Sequence, residues 1–236
     1  MKEIPTNQAT KVYFVDTVRT VSDTKRDFYI HHSRPINSVY RRFVEELMVE
    51  MHLLSVNLDF RYDPIYALGV FTSFERFMQG YRPETDRESI FNALCQSVVS
   101  NPDQYRQDAR EMLRQAKEIS VTALIDSLNP AKAINSPLVE TMREIAQNPR
   151  FKYSRLFAIG LYAIVAEAEP QSFQAPETRN QILQQLSAAL NLPADKLQKD
   201  LDLYRTNLDK MDQLLSVIEE ALEADRKKRE TAEPKG

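Results

Sequence analysis

Apolar residues recur at three- and four-residue steps along most of this chain, and prolines cut the pattern into separate helical segments. Thr20 or Ser22 can cap a short first helix that must end near His32, because Arg34 precedes Pro35 and the residue before a proline is pushed out of helical geometry. From there to about Asn57, the positions Val39, Tyr40, Phe43, Val44, Leu47, Met48, Met51 and Leu54 mark one broad buried face. Asp63 and Pro64 read as cap and first turn of a helix that carries Leu68, Phe71, Phe74, Phe77 and Met78 and stops at Gly80. Thr85 and Glu88 have the spacing of a capping box for the next helix, which bears Ile90, Phe91, Leu94, Cys95 and Val98. Asn101 with Pro102 opens another, predicted to run to about Leu128.

Ser136 with Pro137 starts a helix that ends near Gln147, before Asn148 and Pro149. The following segment, RLFAIGLYAIVAEAEP, is apolar nearly all round, which predicts a helix buried by neighbours on every side at the centre of a bundle. Gly160, near Ala158 and Ala163, allows close helix approach there at a propensity cost of about 1 kcal/mol. A shorter helix follows Pro170 to about Leu190, and Pro193 opens the longest one. Along it Leu197, Leu201, Tyr204, Leu208, Met211, Leu215, Ile218 and Leu222 alternate at four and three residues, which is a coiled-coil seam extending roughly 50 Å.

The expected fold is therefore all-α: an irregular multi-helix bundle with a long C-terminal coiled-coil-like helix. Residues 1–14 form a tail, 15–190 the helical body, 191–228 the long helix and 229–236 a disordered tail. The seam admits two arrangements. Packed on its own body it is an internal helix; exposed, it leaves an apolar stripe that demands a partner or self-association. Four clean heptads favour the extended arm, with Leu201, Tyr204, Leu208, Met211 and Leu215 as partner contacts.

Composition reinforces the helices. Of 236 residues only 4 are Gly and none is Trp, while Ala, Leu, Glu, Gln and Arg abound. A formal net charge of −3 gives no overall attraction to nucleic acid, so no nucleic-acid partner is expected. The most apolar segment, Leu156 to Ala166, is about half the roughly 20 residues needed to cross a bilayer, so membrane contact is expected to be peripheral. The N-terminal residues lack a signal-peptide core and the Arg- and Ser-rich character of a transit peptide, which predicts a chain that stays where it is made.

No residue set in the sequence points to catalysis. Cys95 sits among Phe91, Leu94, Val98 and Val99 on an apolar face, as a structural thiol does, and a single cysteine makes neither disulfide nor thiolate cluster. His31 and His32 diverge by about 100° on a helix, and His52 near Glu50 lacks the repeated carboxylate-and-His spacing of di-iron bundles. The glycines are isolated, so no phosphate-cradling loop is present. No catalytic residue, cofactor or metal is predicted.

Arg41 with Glu45 and Arg42 with Glu46 read as a solvated face. The basic run from Arg226 to Arg229 reads as a complement to a helix C-terminus. The loop NLDFRYDP stands out. Phe60, Arg61 and Tyr62, with Tyr81 and Arg82, are residue types enriched at binding hot spots and are candidate partner contacts; on a structural reading, the Arg pairs with Asp59 or Asp63 while the aromatics seal the bundle end. The residues alone thus indicate a helical protein that binds other proteins, with a hidden small-molecule, pigment or metal site between helices as the alternative.

Several words of the sequence carry a resemblance over roughly Val15 to Tyr162: TVSDTKR at 20–26, RPINSVYRRFVEELMVEMHLLSVN at 34–57, FRYDPIYALGV at 60–70, FERFMQGYRP at 74–83, SIFNALCQ at 89–96 and KYSRLFAIGLY at 152–162. In these the chain resembles the thylakoid-formation family, also called the photosystem II biogenesis family, in its cyanobacterial form. The resemblance implies a non-enzymatic auxiliary of photosystem II biogenesis and repair, peripheral on the cytoplasmic side of the thylakoid and partly soluble. It implies thylakoid FtsH protease complexes as partners, other photosystem II assembly factors beside them, and no catalytic residues.

Overall fold

Asp63, Thr20 and Asn101 each start a helix where the pattern of caps and prolines placed one. The computed structural model describes residues 18–132 and 134–232, so the tail expected at 1–14 lies outside the described residues. In α1 (Val21–His31), Thr20 and Asp23 form a reciprocal capping box. Asn37 accepts the Val39 N–H to start α2 (Ser38–Ser55). Asp63 accepts the Tyr66 N–H at 2.8 Å to start α3 (Pro64–Phe77).

Several predicted boundaries are corrected. Helix α4 (Glu84–Ser97) begins directly after Pro83, which occupies the cap position in extended geometry, so Thr85 lies inside the first turn and the expected Thr85–Glu88 box does not form. The acidic side chains Glu84 and Asp86 meet the helix N-terminus instead. The single helix expected from Pro102 to Leu128 is two, α5 (Pro102–Lys117) and α6 (Val121–Ser127). Ser120 breaks it by accepting the Ala123 N–H, and Glu169, far along the chain, accepts the Val121 N–H at 3.1 Å. The turn lets Val121 and Leu124 enter the core.

After a short 3₁₀ turn at Pro130–Lys132 come α7 (Pro137–Gln147), α8 (Arg155–Ala168), α9 (Pro170–Gln174), α10 (Pro176–Ala189) and α11 (Ala194–Ala232). Pro176 divides the segment after Pro170 in two. The tail expected from residue 229 is helical as far as Ala232, and 233–236 lie outside the described residues. The described residues contain no strand.

Helices α3 and α8 cross at the centre, and the core divides into two clusters about them. Side chains of α5, α6, α7, α10 and the start of α11 pack on one side. Those of α1, α2 and α4 pack on the other. Phe74, Phe91 and Phe71 interlock ring to ring between α3 and α4. The crossing takes advantage of Gly160, as its sequence context implied, and of Gly69 opposite it.

The seam folds back. Leu197 and Leu201 are 1 % exposed, and Tyr204 meets Phe77 of α3 and Tyr162 of α8 edge-on. The extended-arm arrangement therefore does not hold for the first half of α11, whose seam is covered by the chain's own body. From Asp212 onward most described side chains are exposed, with Leu215 and Ile218 half-buried.

Candidate protein-docking surfaces

The loop between α2 and α3 is locked from three directions. Phe60 packs edge-on against Tyr66 with ring centroids 4.9 Å apart, and Tyr62 packs against Tyr105 of α5 at 5.2 Å. The Tyr62 hydroxyl donates to Asp108 at 2.6 Å, and burial together with that bond raises its pKa. Burial likewise pushes Asp63 up to about 7, against the pull of the Tyr66 and Ile65 backbone N–H groups. Asp59 is held by Arg150 from the loop that precedes α8.

The aromatics thus seal the bundle end, as the structural reading had it, but the arginine does something else. Arg61 pairs with neither aspartate; its Nη1 donates to the carbonyls of Leu58 and Phe60, both at 2.8 Å. Arg61 is exposed, and Leu58 beside it is 88 % exposed. This rigid tip is one open surface.

Tyr81 and Arg82 do not join it. They follow the C-terminal end of α3, whereas Phe60, Arg61 and Tyr62 precede its N-terminal end, about 21 Å away along a helix of 14 residues. Tyr81 is buried at 3 % exposure with its ring edge-on to Tyr40 at 5.0 Å, leaving Arg82 exposed alone. The five residues grouped in sequence therefore lie at opposite ends of α3.

Of the seam residues proposed for partners, Leu201, Tyr204 and Met211 lie in the chain's own core, and Leu208 and Leu215 are half-buried against it. Sequence reasoning missed the groove that this docking creates. Between α2 and α11 runs a cleft of about 360 Å³ walled by Phe43, Phe77, Met211 and Leu214. Phe43 and Phe77 stack there at 4.5 Å. Its floor carries an ion pair between Arg155 of α8 and Glu50 of α2, 2.6 Å apart and half-buried. Lys210 stands at its mouth with Arg42, which is paired to Glu46 at 2.8 Å. Glu45 faces Lys25 rather than Arg41. No local pattern pairs residues 50 and 155, because the fold alone brings α2 and α8 together.

The reactive side chains have structural surroundings. Cys95 is buried and its thiol is pushed up to about 12 by desolvation, so little thiolate forms near neutrality. His32 Nδ1 lies 2.9 Å from Ser89 Oγ, joining α1 to α4, and His52 Nδ1 lies 2.8 Å from Thr24 Oγ1, joining α2 to α1. Burial lowers the pKa of both imidazoles. Among the described residues no group of three or more His, Cys, Asp or Glu is gathered to hold a metal ion. No described helix is long and apolar enough to cross a membrane.

The sequence profile of the family described as Thylakoid formation protein matches residues 20–233. The chain is 63% identical over 219 residues to a protein called Thf1 from Gloeothece citriformis, covering 92% of this chain and 97% of the relative. It is 55% identical over 214 residues to Thf1 from a Synechocystis species, covering 90% and 89%. A solved structure titled as Psb29 at 1.55 Å superposes with a TM-score of 0.78 at 45% identity, covering 89% of this chain and 98% of that one.

Proposed function

Because the chain belongs to the thylakoid-formation protein family, we propose that it is a non-enzymatic auxiliary of photosystem II biogenesis and repair that binds and supports thylakoid FtsH protease complexes. It works from the cytoplasmic face of the thylakoid as a peripheral protein. The family described as Thylakoid formation protein and the Psb29 likeness support the photosystem II setting. Binding in place of catalysis is supported by how the chain's unusual residues are used: the aromatics, histidines and thiol brace helices, while the polar and apolar groups left open sit on surfaces.

The observation that carries the reading is the locked tip. Leu58 and Arg61 are exposed on a loop whose backbone is held by Tyr62–Asp108, Arg150–Asp59 and the two carbonyl bonds of Arg61 itself. A preorganised surface gives up little conformational entropy on binding, and Leu beside Arg offers apolar area and a multidentate donor. The protein then acts on the protease by stiff surface complementarity, altering its stability, assembly or access to substrate.

A tagged full chain drawn from thylakoid membranes should co-purify FtsH, and Leu58→Glu with Arg61→Glu should remove most of it while leaving the helical content unchanged. Absence of FtsH from the wild-type preparation overturns the partner. Undiminished FtsH with the folded double variant overturns the surface.

A further inference from the structure

Helix α11 carries a second apolar stripe beside its buried seam. Leu203, Lys210, Leu214 and Val217 follow one another at steps of seven, four and three, which keeps them on one helix face. Leu203 is 47 % exposed, Leu214 44 % and Val217 62 %. Ala221 continues the row. Lys210 and Leu214 also line the α2–α11 groove, so the stripe runs out of a concave seat whose far wall is Phe43. An apolar row set against a groove, on a helix that extends past its own body, is incomplete as a monomer surface.

We propose that this face binds the same face of a second copy of the chain, with the two α11 helices antiparallel about a two-fold axis near Leu215 and Ser216. A two-fold contact requires a patch complementary to itself, and the order of charges along α11 meets that requirement. With Leu214 of one copy opposite Val217 of the other, Lys210 falls opposite Ala221 and beside Glu220 of the second copy.

Parallel pairing sets Lys210 against Lys210 and Glu220 against Glu220, which is repulsive. An anionic lipid surface fits less well, because six carboxylates stand against the single Lys210 between residues 209 and 225. Overlap from residue 207 to 224 spans about 27 Å of helix. Such a contact buries less than the roughly 800 Å² per partner of a standard interface, the size of a weak, reversible association. This inference stands apart from the protease reading, since the tip at Leu58 is a different surface.

Sedimentation of the full chain over a concentration series should show a monomer–dimer equilibrium. Val217→Glu should leave monomer with unchanged helical content. Lys210→Glu and Glu220→Lys should each weaken the dimer about fivefold, two such pairs acting per dimer, and their combination should restore it. The proposal is overturned by a wild type that stays monomeric across the series, by a dimer that survives Val217→Glu, or by charge reversals whose combination recovers nothing. Flotation with phosphatidylglycerol vesicles that Val217→Glu abolishes, in a chain that does not self-associate, overturns it in favour of a lipid face.

Discussion

Gly69 of α3 and Gly160 of α8 lie face to face at the helix crossing, each under a backbone carbonyl of the opposite helix. A Cβ on Gly69 would stand 1.7 Å from the Leu156 oxygen, and one on Gly160 would stand 1.9 Å from the Ile65 oxygen. Ile65 and Leu156 each precede the glycine of their own helix by four residues, so the contact is reciprocal. Backbone atoms cannot rotate aside as a side chain would. Any added carbon must separate the two helices on which both core clusters rest.

Alanine at either glycine therefore loses more from separating the helices than the roughly 1 kcal/mol it gains in helix propensity. Gly69→Ala and Gly160→Ala are each expected to lower unfolding free energy by about 3 kcal/mol in denaturant titrations. Gly80→Ala is the comparison: its Cβ would meet only the Tyr40 hydroxyl at 3.5 Å, and the cost comes from its φ of +79°. A loss of about 1 kcal/mol is expected there. Equal losses at all three positions would contradict the close-packed crossing.

The two stripes of α11 separate in the same measurement. Leu201→Ala empties a site that is 1 % exposed and should cost about 2–5 kcal/mol. Val217→Ala, at a 62 % exposed position, should stay within about 0.5 kcal/mol under dilute monomeric conditions. Removal of residues 194–236 takes away Leu197, Leu201 and Tyr204 and should unfold the body, whereas a chain ending at Leu215 should keep its fold. Similar costs for Leu201→Ala and Val217→Ala would place the seam outside the core.

His32 and His52 make stability depend on pH with a definite sign. In the unfolded chain both imidazoles take up a proton near 6.5, whereas burial holds their folded pKa values lower, with Arg34 and Arg19 adding repulsion and Asp86 and Asp23 partly opposing it. The unfolded state thus binds more protons as acid is added. The contribution is fully present above about 6.5 and is lost as pH falls toward the folded values. Asp63, pushed up to about 7, gains stability over the same range, so the histidine contribution is read by difference. His32→Gln and His52→Gln should each make the urea midpoint fall less, or rise more, from pH 7 to pH 5.5 than in the wild type, and variants whose pH dependence matches the wild type would refute buried neutral imidazoles.

Much of the fold is written locally. Thr20, Asp63 and Asn101 announce their helices because a cap needs only its own next few residues. The all-round apolar character of α8 likewise announces a central helix before any neighbour is known. The family words make the biological setting legible from the same residues. The candidate site was less legible: Phe60, Arg61 and Tyr62 share one loop in sequence and in space, but whether Tyr81 and Arg82 join them depended on the length and direction of α3.

What tertiary structure decided was which neighbour each pattern meets. A heptad seam reads the same whether it faces another chain or its own body, and the covering of Leu201 and Tyr204 was settled by α3, α8 and α10. That covering turned the Leu203, Leu214 and Val217 row outward. The break at Ser120 depends on Glu169, the floor of the groove on Glu50 and Arg155, and the role of Gly69 on a glycine far away in the chain. Local spacing determines which residues share a helix face; the partner of that face is set by packing between segments distant in sequence, which no short-range pattern encodes.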